Sequence, residues 1–512
     1  MDSAILDALR SNFTSPPGIH VPSAIVESQG EVDTLEVQIR QLRAQLQILE
    51  ERRDVAQGRC LNLKSLSAPI RRLPSDILLE IFSHTLWYGS ADPIYDPFPL
   101  LLTHVCSYWR HLALSTPTLW SSIRARPTDG QLEYYRALWN HFLLHSGTAP
   151  LSLFLDLSYV EWEQDELLDQ FVEHSRRWKA VGFTMDSIQP LRRLEEDDMN
   201  QLQSLALAAL DTVSSIFLHD ITCFRSAHAL VDVSLGGYWD PSLVALPWGQ
   251  LTTLSFGSSI TPASLNLDIY LSVLRHCTQL ARLEFNFGDC DVDERRPSRL
   301  PGYITLPKLR SLSVEGALHI MDDLIFEKLG LPGLTEFIYH PGFVSGIPRS
   351  LESSWKAFQS CAGRSRCKLS TISLTRGSVF DVDVIGWLDC LQSAREVTLD
   401  LTSLVRRDQK TFIEYFSNRD VGSSGQTAPC KFPSMQRITI HGLQSSPSVI
   451  EALVSMARFR CRLHSPESSS SLETPTTLLF ASFGKQLAAE LEFCLRDCVA
   501  AGLTLHFHSP LF

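Results

Sequence analysis

The sequence predicts an α/β solenoid: an N-terminal helix, a small all-α domain, then an irregular array of parallel strands joined by helical crossovers. Three observations predict it. An apolar seam recurs every seven residues over 32–49. Two short stretches between residues 73 and 112 carry broad apolar stripes at helical spacing. From Trp178 onward the template apolar-x-x-apolar-x-apolar returns ten times.

Composition sets the outer bounds. A chain of 512 residues exceeds one ordinary core unless it is a repeat array. Its 44% hydrophobic and 20% charged residues exclude a mainly disordered protein. A net charge of −12 argues against nucleic acid or an anionic membrane as the main partner, because phosphate binding needs a basic surface. The start, Met1 to Asp7, lacks the basic residues and apolar run of a secretory leader. No window approaches the roughly 18 unbroken apolar residues of a membrane span. Twelve cysteines without short paired spacing fit a reducing compartment, so a cytoplasmic and/or nuclear location is expected.

Residues 1–30, punctuated by Pro16, Pro17, Gly18 and Pro22, read as a disordered N-terminus. Residues 31–60 read as a helix. Val32, Ile39 and Leu46 form one row of its seam, and Leu35, Leu42 and Leu49 the other. The seam fails at Arg53 and Gly58. Two uses remain open for it: weak self-association through 32–49, or packing against a neighbouring domain.

Residues 70–124 carry the most specific signal. The first part runs Leu73-Pro74-Ser75-Asp76-Ile77-Leu78-Leu79-Glu80-Ile81-Phe82, with proline at a helix start, where its missing N–H costs nothing. The second runs from Leu101 through Val105-Cys106-Ser107-Tyr108-Trp109-Arg110 to Leu112-Ala113, its apolar residues at i, i+4, i+8 and i+11. Leu119-Trp120 close the stretch. Two such stripes cannot both be buried within about 45 residues, and the surplus calls for a partner. This pair of fingerprints resembles an F-box, interrupted by a Pro-rich insert at 87–99. The resemblance covers about a tenth of the chain. It implies docking of a Skp-type adaptor, and through it a cullin, by Leu73, Pro74, Ile77, Leu78, Ile81, Phe82, Leu101, Val105, Trp109 and Leu112.

Residues 130–512 read as the array. A helix through Tyr135, Trp139 and Phe142 ends near Gly147, and Leu151, Leu153, Leu155 and Leu157 alternate as a strand. The central template positions are Val181, Leu205, Val233, Leu254, Leu283, Leu312, Phe337, Ile372, Val397 and Ile438. Their spacings are 24, 28, 21, 29, 29, 25, 35, 25 and 41 residues. Helical stretches at 267–274, 384–391 and 450–457 separate strands; a last helix over 478–501 and a closing strand over 502–507 are expected. The template resembles the leucine-rich repeat strand. The Asn or Cys expected three residues after it is replaced by Ser259, Gly288, Ala317, Gly342, Gly377 and Thr402. Insertions at 419–430 and 465–477 read as polar loops. Together with the F-box, this arrangement is similar to F-box proteins of mushroom-forming fungi, in which a degenerate repeat region follows. The resemblance implies a substrate receptor of a cullin-RING ubiquitin ligase. Arg282, Glu284, Asn286, Glu315, His340 and His441 would then contact the target from the outward strand positions. The alternative is a protein-interaction scaffold whose F-box-like helices cap the array.

Enzyme signals are weak. Phosphate-loop, dinucleotide and nucleophile-elbow motifs are absent from the sequence. Cys494, Cys498, His506 and His508 could supply four ligands but lack a tight C-x-x-C anchor. Cys361 and Cys367 read as loose thiols, His141 and His145 as surface histidines, and the acidic run Glu195 to Asp198 as a solvated helix start. No catalytic residue, metal or cofactor is expected.

Overall fold

The computed structural model describes residues 9–10, 20–85, 98–158, 160, 164–185, 191, 194, 199–209, 221–237, 241, 244–257, 267–286, 302–316, 326–341, 352–374, 393–400, 406–416, 435–443, 446–463, 477–481, 491–500 and 503–508. Residues 87–97 of the insert, the acidic run 195–198, the six turn positions after the template, the helix expected near 384–391, the insertion at 419–430 and residues 465–476 of the last insertion lie outside them. The chain divides into two units, Met1–Phe82 and Ser83–Phe512. The division falls inside the first helix of the stretch 70–124.

The first unit is dominated by α1 (Val21–Leu66), a single helix of 46 residues and about 69 Å at 1.5 Å per residue. It starts ten residues before the expected boundary and ends six after it. Pro22 lies at its start, a position where the helix needs no N–H from it. Gly30 and Gly58 sit inside without breaking it, since an interior glycine costs only about 1 kcal/mol. None of its residues is buried. A 3₁₀ turn (Pro69–Arg72) follows, tied back where Arg71 Nε donates to the Ser65 carbonyl at 2.8 Å. Then comes α2 (Ser75–Thr85), with Asp76 in its first turn and His84 in its last, each suited to the local helix dipole.

The second unit begins with α3 (Phe98–Val105) and α4 (Ser107–Leu114). The single helix implied by the spacing Leu101, Val105, Trp109, Leu112 is corrected. Cys106 is extended, with φ −162° and ψ 168°, and breaks it in two.

Fourteen parallel strands then form one sheet. They are β1 (Ser122–Ala125), β2 (Leu151–Asp156), β3 (Trp178–Met185), β4 (Ser204–Ala209), β5 (Asp232–Gly237), β6 (Thr253–Gly257), β7 (Arg282–Asn286), β9 (Ser311–Gly316), β11 (Glu336–Pro341), β12 (Thr371–Leu374), β13 (Glu396–Asp400), β14 (Arg437–His441), β15 (Thr477–Ala481) and β16 (Thr504–His508). The short β8 (Ile304–Thr305) and β10 (Leu329–Gly330) pair with each other on their own. Each strand of the large sheet neighbours the next in sequence, which is the connectivity of a stack of repeats. Two strands depart from expectation. β1 lies in the stretch assigned to the all-α domain. β15 occupies residues expected to start the last helix, of which 491–494 and 496–500 are helical among the described residues.

The template explains the stack. Its second and third apolar residues are strand positions facing the core: Leu205 with Leu207, Leu283 with Phe285, Val397 with Leu399, all buried. Its first residue closes a tight turn before the strand. Leu202, Leu230, Leu280, Leu309 and Leu334 each donate their N–H to the carbonyl three residues back, and all five are buried. The next link is backbone alone. The carbonyl of Thr252 accepts the N–H groups of both Ala281 and Arg282, at 2.8 and 2.9 Å. Ala281 does the same for Arg310 and Ser311, Arg310 for Thr335 and Glu336, Thr335 for Ser370 and Thr371, and Ser370 for Arg395 and Glu396. No side chain at a fixed position is required for this ladder, so it survives the loss of the Asn row.

Crossovers cover the core face: α5 (Leu132–Ser146), α6 (Gln164–Val172), α7 (Leu267–Leu274), α8 (Glu352–Ser365), α9 (Arg406–Tyr415), α10 (Pro447–Leu463) and the short α11 (Arg496–Ala500). Aromatic residues fill the space between them and the sheet. Phe326 meets Phe358 edge-on at 5.2 Å, and Phe358 stacks on Phe337 at 4.1 Å. Gly333 is required by packing, since a Cβ there would lie 2.5 Å from the Pro307 carbonyl oxygen.

Leu283→Ala removes a fully buried ladder residue and should cost about 2–5 kcal/mol. Arg282→Ala, on the exposed side of the same strand, should stay within about 0.5 kcal/mol. Urea unfolding of the two variants checks this.

Candidate docking surfaces

Each helix of the fingerprint stretch has one apolar row turned inward and one left outside. In α2 the inward row is Leu78 and Phe82, each 1% exposed. Ile77 and Ile81, one residue before each, are 46% and 39% exposed. Leu73 is half-buried and Pro74 exposed. The helix begins as Leu78 N–H donates to the Pro74 carbonyl at 3.1 Å.

In α3 Leu102 is buried, while Leu101 and Val105 are 57% and 59% exposed. The extended Cys106 lets α4 fold back on α3. Arg110 N–H donates to the Cys106 carbonyl at 2.9 Å, and Arg110 Nε donates to the Thr103 carbonyl at 2.8 Å. This brings Tyr108, 50% exposed, into view, a residue the sequence reading passed over. Its signal was an aromatic neighbour one position before Trp109. Trp109 and Leu112 are half-buried.

The far end of α4 is anchored rather than free. Trp120 is fully buried and its Nε1 donates to the Ala113 carbonyl at 2.8 Å. Its ring packs against His141, Phe142 and His145, with centroids 5.1, 5.2 and 5.1 Å away. His141 and His145, read from sequence as surface histidines, are thus part of a packed joint, their own rings 4.4 Å apart. Burial, then the neighbouring His145, pushes the His141 pKa down. His174 is also pushed down, by burial first and then by Arg177, against an opposing pull from Glu173.

The second surface is the outward face of the sheet. Strand registry aligns Asn286, Glu315 and His340 in one row across β7, β9 and β11. Asn286 Nδ2 donates to Glu315 Oε2 at 2.9 Å, and both side chains keep solvent contact. Arg282 is exposed and Glu284 half-exposed on β7; His441 is half-exposed on β14, where it pairs in register with Asp400. The sequence reading missed a charged pair on this face. Arg437 Nη1 and Glu396 Oε1 lie 3.1 Å apart across β13 and β14. Such exposed pairs are worth about 0–1 kcal/mol, so they decide what the surface can meet more than whether it folds. Near the other end Arg124 lies over the Phe154 ring at 4.7 Å, and Arg126 pairs with Asp156 at 2.8 Å.

Three thiols are poorly reactive. Burial pushes Cys277 up to about 12 and Cys367 to about 11, and raises Cys361, which keeps them protonated and poorly nucleophilic. Among the described residues no group of three or more His, Cys, Asp or Glu side chains could hold a metal ion. Among the same residues no helix is long and apolar enough to cross a membrane.

No family model matches the chain, and no curated protein matches it. A solved structure from Bacteroides fragilis, a structural genomics target, is similar at 9% identity over 76% of this chain and 74% of that one. Its TM-score of 0.28 is too low to carry any argument.

Two half-buried histidines give a pH expectation. His141 and His174 hold protons less readily when folded, so below the ordinary value of 6.5 the unfolded chain binds more protons. Stability should fall as pH drops from 7.5 to 5.5. Thermal unfolding of His141→Gln with His174→Gln should show a smaller drop than wild type over the same interval.

Proposed function

We propose that this chain is the substrate receptor of a cullin-RING ubiquitin ligase, an F-box protein with degenerate leucine-rich repeats, working in the cytoplasm or nucleus. The observation that carries the reading is the double-sided character of α2 and α3. Each buries one apolar row and leaves another, Ile77 with Ile81 and Leu101 with Val105, between 39% and 59% exposed. Isolated exposed apolar residues are ordinary; rows of them on anchored helices carrying the F-box fingerprints are the mark of a docking face.

In this reading the exposed rows and Tyr108 enter a Skp-type adaptor. Leu78 and Phe82, also expected to dock, are buried in this structure. The outward strand residues Arg282, Glu284, Asn286, Glu315, His340 and His441 grip the target. The chain performs no bond chemistry. It holds a target near a charged ubiquitin-conjugating enzyme and so raises the effective concentration of the target lysine. The strand face suits the task, because its polar side chains are free of the ladder and can vary without cost to the stack.

The test is binding of the full chain to a purified Skp-type adaptor. Wild type should bind. Ile77→Glu with Val105→Glu should lose affinity by about 30-fold or more, since anchors at an interface centre are each worth about 2 kcal/mol or more. Its thermal midpoint should stay near that of wild type. Leu78→Ala should instead lower the midpoint. Undiminished binding by the double variant, or no binding by wild type, would overturn the proposal.

A further inference from the structure

The longest element of the chain leaves its apolar residues in solvent. Val32, Leu35, Ile39, Leu42, Leu46 and Leu49 on α1 are all exposed. The continuous helix also extends the seven-residue pattern beyond 32–49. The first row becomes Ile25, Val32, Ile39, Leu46, Arg53 and Cys60; the second becomes Val21, Ser28, Leu35, Leu42, Leu49, Ala56 and Leu63. Ile25, Val32, Ile39 and Leu46 in one row and Leu35, Leu42, Leu49 and Leu63 in the other make a continuous apolar seam of the kind that pairs helices.

Charge decides the direction of that partner. Residues 21–39 hold four acids, Glu27, Glu31, Asp33 and Glu36, and no base. Residues 40–66 hold six bases, Arg40, Arg43, Arg52, Arg53, Arg59 and Lys64, against three acids, Glu50, Glu51 and Asp54. A parallel in-register pair would set Glu31 against Glu36 and Arg59 against Lys64 of the other copy, all like-charged. An antiparallel pair opposes the acidic half to the basic half. One antiparallel register aligns Val32 with Leu49, Leu35 with Leu46 and Ile39 with Leu42 of the second copy. The same register brings Glu31 to Arg52 and Glu36 to Arg43, each pair occurring twice by symmetry. It also puts Arg53 opposite Ser28, so the one charged residue of the seam meets a small polar one. The two helices overlap over residues 21–60, about 60 Å.

We propose that α1 pairs with α1 of a second copy as an antiparallel two-stranded coiled coil in this register, making the protein a dimer. The proposal stands on the α1 surface and does not depend on adaptor binding.

The test is the mass of the full chain in solution, by light scattering across a concentration series. Wild type should form a dimer. Ile39→Asp with Leu42→Asp should raise the dimer dissociation constant at least a hundred-fold. Glu31→Arg with Glu36→Arg should weaken it at least ten-fold, and adding Arg43→Glu with Arg52→Glu should restore it. Restoration distinguishes the register, because a parallel pair never brings those residues together. Cys60 reports direction independently. In the antiparallel dimer two Cys60 residues lie about 58 Å apart and do not cross-link on mild oxidation, whereas a Val21→Cys variant links to Cys60 of the other copy. A monomer at every concentration, failure of the four-fold charge exchange to restore the dimer, or a Cys60–Cys60 disulfide would overturn the proposal.

Discussion

The second unit depends on one repeated backbone contact. Ahead of most strands a single carbonyl accepts two successive N–H groups from the next repeat. That contact fixes where each strand enters the sheet, and strand entry fixes which side chains face inward. In a parallel stack an entry shifted by one residue would turn every leucine of that strand to solvent. The buried leucine that closes each turn and the two buried strand residues after it therefore act as one register device. The device itself asks for three residues per repeat. This is why repeats 21 and 41 residues long share one sheet: extra length is taken up outside the entry point.

How much of this was legible followed from the same device. All ten template copies lie on strands, or on the turns leading into them, because the template marks the positions that the ladder buries. Of the large sheet's strands lacking the template, β2 was expected from its alternation and β16 as a closing strand, while β1 and β15 were missed. β1, Ser122-Ile123-Arg124-Ala125, has only two core positions, and its neighbourhood looks helical. β15, Thr477-Leu478-Leu479-Phe480-Ala481, is a continuous apolar run whose period does not separate strand from helix. Helix limits failed for another reason. The start of α1 was hidden by Pro22, which breaks a helix in its interior but is tolerated at its first turn. Which fingerprint residues are buried was not legible. Burial separates Leu78 and Phe82 from Ile77 and Ile81, and adjacent apolar positions on a short helix do not show from sequence which row is covered. Cys106 was equally silent: its extended backbone follows from α4 folding back on α3, a tertiary constraint with no local residue signature.

Exposed apolar rows are costly to keep, and in this chain they are held on elements that cannot relax to hide them. α3 is held by Leu102 beneath and by Arg110 bonded across the Cys106 break. α4 is held at its far end by the Trp120 ring wedged against α5. A helix anchored through one row has no freedom to rotate the other inward, so the exposed row is pre-organised. Pre-organisation reduces the entropy that binding must offset and raises affinity without adding contacts. His141, whose pKa burial pushes down, packs on the Trp120 ring in this anchorage, so part of the acid sensitivity expected of the unit lies beside α4.

The outward strand face follows the opposite rule. Its side chains are released from the fold by the backbone ladder, so its polarity is set by what it meets. Asn286 with Glu315, and Glu396 with Arg437, bridge neighbouring strands on that face while keeping contact with water. Such pairs resist closing against an apolar surface, because desolvating them costs more than their attraction returns. In the proposed reading, a target for this face would supply polar groups that replace the water, and the face would select by charge pattern rather than by buried area. That reading gives the chain two physically separate recognition tasks: apolar rows held rigid on short helices, and a polar strand surface that the stack leaves free to change.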